Sequence, residues 1–251
     1  MRKKLFAANW KMHKTVNSTG EFAVALRRLA ADSSSEIVVC PPAILLTTAV
    51  NSFSGSPISV GAQNVCAAPA GAYTGEISVA HLEDAFIRYC IVGHSERRTL
   101  FGESNADVAE KTNALLSQGM TPILCLGETL AERQNGETLA VLRRMLCESL
   151  DSVEISSRLV LAYEPLWAIG SGINAEQADV EQAFAYLRQL LRELCGGVAD
   201  DIRILYGGSV KPVNIAEIMS CPNVDGVLVG GASLQAETFA EIIRRGEAAD
   251  N

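Results

Sequence analysis

The sequence predicts a closed, parallel (β/α)8 barrel folded as one domain over residues 1–251. Three observations predict it. Eight short apolar runs recur along the chain, helical patterns lie between them, and no linker, low-complexity tract or charge block divides the chain. A chain of 251 residues, 48% of them hydrophobic, has apolar material enough for one large core.

The runs are Leu5–Ala8, Ile37–Cys40, Ile58–Ala62, Tyr89–Val92, Pro122–Leu126, Leu159–Ala162, Ile202–Leu205 and Gly226–Val229. Apart from Ser59 and Arg203 they are apolar or glycine throughout, as expected of strands buried on both faces. Between them, Phe22, Ala25, Leu26 and Leu29 follow helical spacing, as do Val180, Ala183, Phe184, Leu187, Leu190, Leu191 and Leu194. Asn174 and Gln177 have the spacing of a capping box for the second helix, and Gly196 and Gly197 stop it. Gly119 and Pro122 punctuate an earlier helix. The rival architecture, a doubly wound open sheet, usually carries a G-x-G-x-x-G turn after its first strand. Here that strand runs into Asn9-Trp10-Lys11, with no glycine.

The formal net charge of −8 argues against general nucleic-acid or anionic-membrane binding. Cys40, Cys66, Cys90, Cys125, Cys147, Cys195 and Cys221 are odd in number and show no C-x-x-C spacing. They read as free thiols in a reducing compartment. His13, His81 and His94 have no ligand spacing with them, so no metal is expected. No cofactor is expected either. Arg2, Lys3 and Lys4 precede an apolar run too short for a signal peptide, and no stretch approaches a membrane span, so a cytoplasmic protein is expected.

In such barrels the active site lies at the carboxyl ends of the strands. The residues just after each run are therefore the candidates: Asn9, Lys11, Gln63, Asn64, His94, Glu96, Glu128, Glu164, Ser209, Gly230 and Gly231. Glu164 closes an apolar run, and a partly desolvated carboxylate there is a stronger base. The same position also suits an ion-paired glutamate. His94 precedes a helix start, whose dipole disfavours a charged imidazole. A neutral ring could donate to a substrate oxygen, although a lone histidine is more often a satisfied core residue. Lys11 can stabilise negative charge on a substrate, against the commoner fate of a solvated loop lysine. Asn9 can orient it, and Glu96 is expected to support the site with Arg97 or Lys11 as its partner. Tyr206-Gly207-Gly208-Ser209 and Val229-Gly230-Gly231-Ala232 follow the last two runs. Glycine lets backbone N–H groups crowd around an anion, and phosphate sites in this fold often use those two loops. Backbone dipoles would let an acidic chain hold a phosphate.

Together these stretches resemble the triosephosphate isomerase family, whose fold is the TIM barrel. The matching stretches are Ala-Asn-Trp-Lys-Met, Gly-Ala-Gln-Asn, Val-Gly-His-Ser-Glu-Arg-Arg, Leu-Gly-Glu-Thr, Ala-Tyr-Glu-Pro-Leu-Trp-Ala-Ile-Gly-Ser-Gly, Tyr-Gly-Gly-Ser-Val and Val-Gly-Gly-Ala-Ser-Leu, in family order over nearly the whole chain. The resemblance implies interconversion of D-glyceraldehyde 3-phosphate and dihydroxyacetone phosphate through an enediol(ate), a step of glycolysis and gluconeogenesis. It implies Glu164 as the base, His94 as a neutral electrophile, Lys11 as the oxyanion partner, Asn9 in contact with substrate and Glu96 as a supporting acid. It assigns phosphate binding to Gly170, Gly172, Ser209, Gly230 and Gly231, and a closing lid to Pro165–Ala175. It also implies a homodimer in which the uncharged loop Asn64–Gly75, with Thr74 at its tip, packs near Asn9 and Lys11 of a partner. Ala8, Leu166 and Ile173 depart from the usual family residues without touching a proposed catalytic group. The alternatives are a Schiff-base aldolase, which needs a free lysine amine inside the barrel, and a non-catalytic barrel scaffold.

Overall fold

The computed structural model describes residues 2–168 and 175–249. Its strands are β1 (Leu5–Asn9), β2 (Glu36–Cys40), β3 (Ile58–Ala62), β4 (Tyr89–Val92), β5 (Thr121–Leu126), β6 (Val160–Tyr163), β7 (Arg203–Tyr206) and β8 (Gly226–Val229). All eight predicted runs are strands, with ends displaced by one residue at most. The helices are α1 (Val16–Leu29), α2 (Leu46–Phe53), α3 (Val79–Asp84), α4 (Ser95–Phe101), α5 (Asn105–Ser117), α6 (Leu130–Gln134), α7 (Thr138–Ser149), α8 (Gln177–Cys195), α9 (Ile215–Ser220) and α10 (Ala236–Glu247).

Each strand pairs in parallel with its sequence neighbours, and β1 pairs with β8, so the sheet closes into a barrel. The unbroken apolar runs have a direct cause in this closure. Leu5, Ala7, Val38, Cys40, Ile91, Ile123, Cys125, Val160, Ala162, Leu205 and Leu228 point into the barrel and form one cluster. Their alternates, such as Phe6, Ala8, Val39, Val92, Leu124, Leu161, Ile204 and Val229, belong to a second cluster shared with the helices. Both faces are thus covered, and period-2 polarity has no place in the sequence.

Helix α8 buries Val180, Ala183, Phe184, Leu187, Leu190 and Leu191 as its spacing predicts, while Leu194 and, on α1, Leu29 are exposed. Both lie in the last turn of their helix. Gly196 stops α8 in a left-handed conformation, with φ of 58°. The predicted Asn174 cap is corrected. The helix begins at Gln177, and the Asp179 carboxylate accepts the Glu176 backbone N–H at 3.2 Å. Asn174 lies outside the described residues. After β8 comes a short 3-10 turn, Gly231–Leu234, and α10 follows from Ala236.

All seven cysteines are free thiols, with Cys40, Cys90, Cys125 and Cys221 buried. Burial pushes the Cys40 thiol up to about 12. No helix among the described residues is long and apolar enough to cross a membrane.

Candidate active site

The loop after β1 is held in an unusual conformation. Lys11 has φ of 51°, the left-handed region that few non-glycine residues occupy. Three hydrogen bonds hold it there. The Lys11 N–H donates to Asn9 Oδ1 at 3.0 Å, and Gln63 Nε2 donates to the carbonyls of Lys11 at 2.9 Å and Cys40 at 2.8 Å. Strain of this kind persists where the surroundings over-determine it. It aims the Lys11 side chain across the barrel mouth, where Nζ meets Glu96 Oε1 at 2.5 Å. Of the two partners expected for Glu96, Lys11 is the one it takes, because Arg97 turns to Glu103 at 3.3 Å.

His94 caps α4: its Nδ1 accepts the Glu96 backbone N–H at 3.2 Å. Its Nε2 faces Glu164 Oε1 at 3.0 Å, and Glu164 Oε2 accepts the Ser95 backbone N–H at 3.0 Å. Glu164 is only 2% exposed. Burial opposes a charge on His94, while the Glu164 carboxylate, their hydrogen bond and Glu96 pull its pKa above the ordinary value. The geometry at Nδ1 pulls the other way. A protonated ring would press two N–H groups together at the positive end of a helix. The arrangement fits the neutral tautomer with its proton on Nε2, as a donor toward Glu164.

The backbone around Glu164 is tightly enclosed. Its N–H donates to Leu126 O at 2.8 Å, and Gly207 N–H donates to Tyr163 O at 2.7 Å. A Cβ on Gly127 would lie 1.7 Å from the Glu164 carbonyl oxygen, so only glycine lets β5 and β6 approach there. Glu128, another strand-end candidate, has a structural task. Its Oε1 accepts from Tyr163 OH at 3.0 Å and Trp167 Nε1 at 2.8 Å, fixing the chain just beyond the base. Arg133 stacks over the Trp167 ring at 4.1 Å and pairs with Asp179 at 2.5 Å.

The mouth encloses a cavity of about 270 Å³. Asn9, Lys11, His94 and Glu164 line one part of it, and Ser209, Gly230 and Gly231 another. The backbone N–H groups of Ser209, Gly230 and Gly231 donate to no acceptor among the described residues. A Cβ on Gly230 would stand 3.4 Å from Lys11 Cε, so this donor-rich wall adjoins the lysine.

The family model for triosephosphate isomerase matches residues 4–246. The chain belongs to the triosephosphate isomerase family. A triosephosphate isomerase of Moorella thermoacetica is 49% identical over 245 residues, covering 97% of this chain and 98% of that one. Those of Symbiobacterium thermophilum (49% identical over 246 residues, 96% of each chain) and Thermus thermophilus (48% over 247 residues, 97% of this chain and 99% of that one) are similarly close.

Of the residues that the triosephosphate isomerase resemblance picks out, Asn9, Lys11, His94, Glu164, Ser209, Gly230 and Gly231 meet at one cavity, with Glu96 behind Lys11. Gly170 and Gly172 lie outside the described residues, as does Ile169–Asn174 of the expected lid. Asn64, on the strand-end list, turns away and accepts from Lys111 at 2.9 Å. Sequence reasoning missed Ser95, whose N–H orients the base, and Val210, Lys211 and Leu228, which also line the cavity. Ser95 acts through its backbone and Leu228 is one of many strand leucines, so neither carried a signal. Lys211 had one: it is two residues beyond Ser209.

Proposed function

We propose that this protein interconverts D-glyceraldehyde 3-phosphate and dihydroxyacetone phosphate by proton transfer through an enediol(ate). The observation that carries this reading is the single cavity onto which Glu164, His94 and Lys11 converge beside the N–H groups of Ser209, Gly230 and Gly231, which donate to no acceptor among the described residues. Glu164 takes the proton from one carbon and returns it to the next. Both of its oxygens are engaged in the resting site, so a bound substrate displaces the His94 contact to reach the base. The freed His94 Nε2–H then donates to the substrate carbonyl. Lys11 and Asn9 face the oxygen on which negative charge develops, in a site where fixed donors act strongly. Ser209, Gly230 and Gly231 hold the phosphate through backbone N–H groups, and Gly170 and Gly172 join them on the strength of the resemblance alone. Glu96 supports by holding Lys11.

The lysine inside the barrel that a Schiff-base aldolase would use, Lys11, is engaged by Glu96. A scaffold has no use for the Glu164–His94–Lys11 set. A coupled assay for conversion of glyceraldehyde 3-phosphate tests the reading, and borohydride with substrate separates the rival. Turnover without trapping is expected; trapping at Lys11, or no turnover, removes the proposal.

The active form proposed is a cytoplasmic homodimer. The loop Asn64–Gly75 carries no charge, and its residues 69–75 are exposed, with Tyr73 54% accessible. Met12, Ile44 and Leu100, beyond the ends of β1, β2 and β4, are exposed as well. So much apolar surface at one barrel end fits an interface near Lys11, with Thr74 reaching toward the partner. Sedimentation at micromolar concentration should give twice the 26.8 kDa chain mass. A fully active species of single-chain mass removes the dimer from the proposal.

A further inference from the structure

Lys211 lies in the loop after β7 and lines the cavity with Ser209 and Gly230. Its main chain is already committed. The N–H donates to Asn214 Oδ1 at 2.7 Å, and the carbonyl accepts from the N–H groups of Asn214 and Ile215, each at 3.1 Å. Asn214 Nδ2 reaches back to the Ser209 carbonyl at 2.9 Å, so one side chain fixes both Ser209 and the root of Lys211. Lys211 is an exposed residue at the rim of that cavity. Its ammonium has no hydrogen-bond or ion-pair partner among the described residues. Most cationic side chains here are paired: Arg2, Arg188 and Arg203 with carboxylates, Lys4 and Lys14 with carbonyl oxygens.

The charge balance of the site gives this unpaired cation a use. Lys11 is matched by Glu96 at 2.5 Å, and Glu164 adds a buried carboxylate with a neutral His94 beside it. Without Lys211 the groups at the cavity sum to a net negative charge, in a protein whose formal charge is −8. Neutral backbone N–H groups can hold a dianion once it is there, but they do little to draw it from solution against that field.

We propose that the Lys211 ammonium is a second cation of the phosphate subsite, drawing in the substrate's phosphate dianion and setting its affinity without a part in proton transfer. This rests on the isomerase reading for the substrate but not for phosphate binding itself. The phosphate keeps its charge throughout the reaction, so Lys211 contacts ground state and transition state alike. Removing a uniform contact raises KM and spares kcat. A solvated lysine with no such role would change neither.

The test compares the wild-type protein with Lys211→Met, Lys211→Arg and Lys211→Glu. Two measurements are made: steady-state kinetics with glyceraldehyde 3-phosphate at several salt concentrations, and titration with inorganic phosphate. Lys211→Met should raise KM and the phosphate Kd together by roughly 3- to 20-fold, the range for one charge-assisted contact at a partly exposed site. The salt dependence of kcat/KM should weaken, because exposed charges act at a range that salt screens. Lys211→Arg should restore most of the affinity, and Lys211→Glu should fall below Lys211→Met. Phosphate Kd and KM within twofold of wild type in Lys211→Met would overturn the proposal, as would a loss confined to kcat. If the wild type binds phosphate but does not isomerise, the isomerase reading fails and the phosphate titration still decides Lys211.

Discussion

Replacing Gly207 by alanine should disable the base while leaving the fold intact. Gly207 is not in the left-handed region, so alanine can adopt its backbone conformation. The added Cβ would stand 2.9 Å from Glu164 Cγ and 3.2 Å from the Tyr163 carbonyl oxygen. Carbon atoms in contact prefer about 3.5–4.0 Å, so Glu164 Cγ must retreat by roughly 0.6–1 Å. The Tyr163 oxygen is fixed by the Gly207 N–H bond, which makes the glutamate side chain the softer partner. A misplacement near 1 Å at a reacting group costs up to about 10²-fold in rate. We therefore expect kcat for glyceraldehyde 3-phosphate to fall about 10- to 100-fold. KM should change much less, because Ser209, Gly230 and Gly231 do not touch this contact. Steady-state kinetics and a melting curve are the assay. A kcat within twofold of wild type would refute the reasoning, and so would a collapse of the melting temperature, which would mean that the backbone moved instead.

Two further expectations concern protonation. The His94 ring should remain the Nε2–H tautomer between about pH 6 and 8, a range in which an ordinary histidine changes charge. Nitrogen NMR showing an imidazolium in that range would mean that the pull of Glu164 outweighs the amide bond at Nδ1. At the opposite end of the barrel, burial pushes the Glu36 carboxyl up, but hydrogen bonds from Tyr89 and Arg203 outweigh it and hold the pKa below the ordinary 4.5. A depressed folded pKa stabilises the protein above the unfolded value, and that stability is lost as pH falls through the folded one. Glu36→Gln should therefore lower Tm at neutral pH and make its decline from about pH 5 to pH 3 shallower. An unchanged acid slope would show that Glu36 is not linked to folding.

The barrel was legible because closure buries both faces of every strand, and that writes unbroken runs such as Ile37–Cys40 and Pro122–Leu126 into the chain. The site was legible for a related reason: a residue that ends a parallel strand points out at the barrel mouth. Asn9, His94, Glu164 and Ser209 could be picked from their positions alone. What escaped is what depends on hydrogen bonds between distant segments. The partner of Glu96 is chosen by a Lys11 backbone whose shape Asn9 and Gln63 impose from two loops. Glu128 looked like a site residue, yet it faces Tyr163 and Trp167 rather than the cavity. The start of α8 was misplaced because Asn174 and Glu176 both have plausible partners three residues on, and only the Asp179 contact reveals which is used. Ser95 contributes an amide, and every residue but proline carries one.

Glu164 as the proton-transferring base is tested most directly by Glu164→Gln, whose amide keeps the shape of the side chain but cannot accept the proton. Turnover of glyceraldehyde 3-phosphate should fall by about 10²- to 10⁴-fold, the usual worth of a positioned general base, while inorganic phosphate still binds. A Glu164→Gln protein that binds phosphate and turns over at the wild-type rate would contradict the assignment.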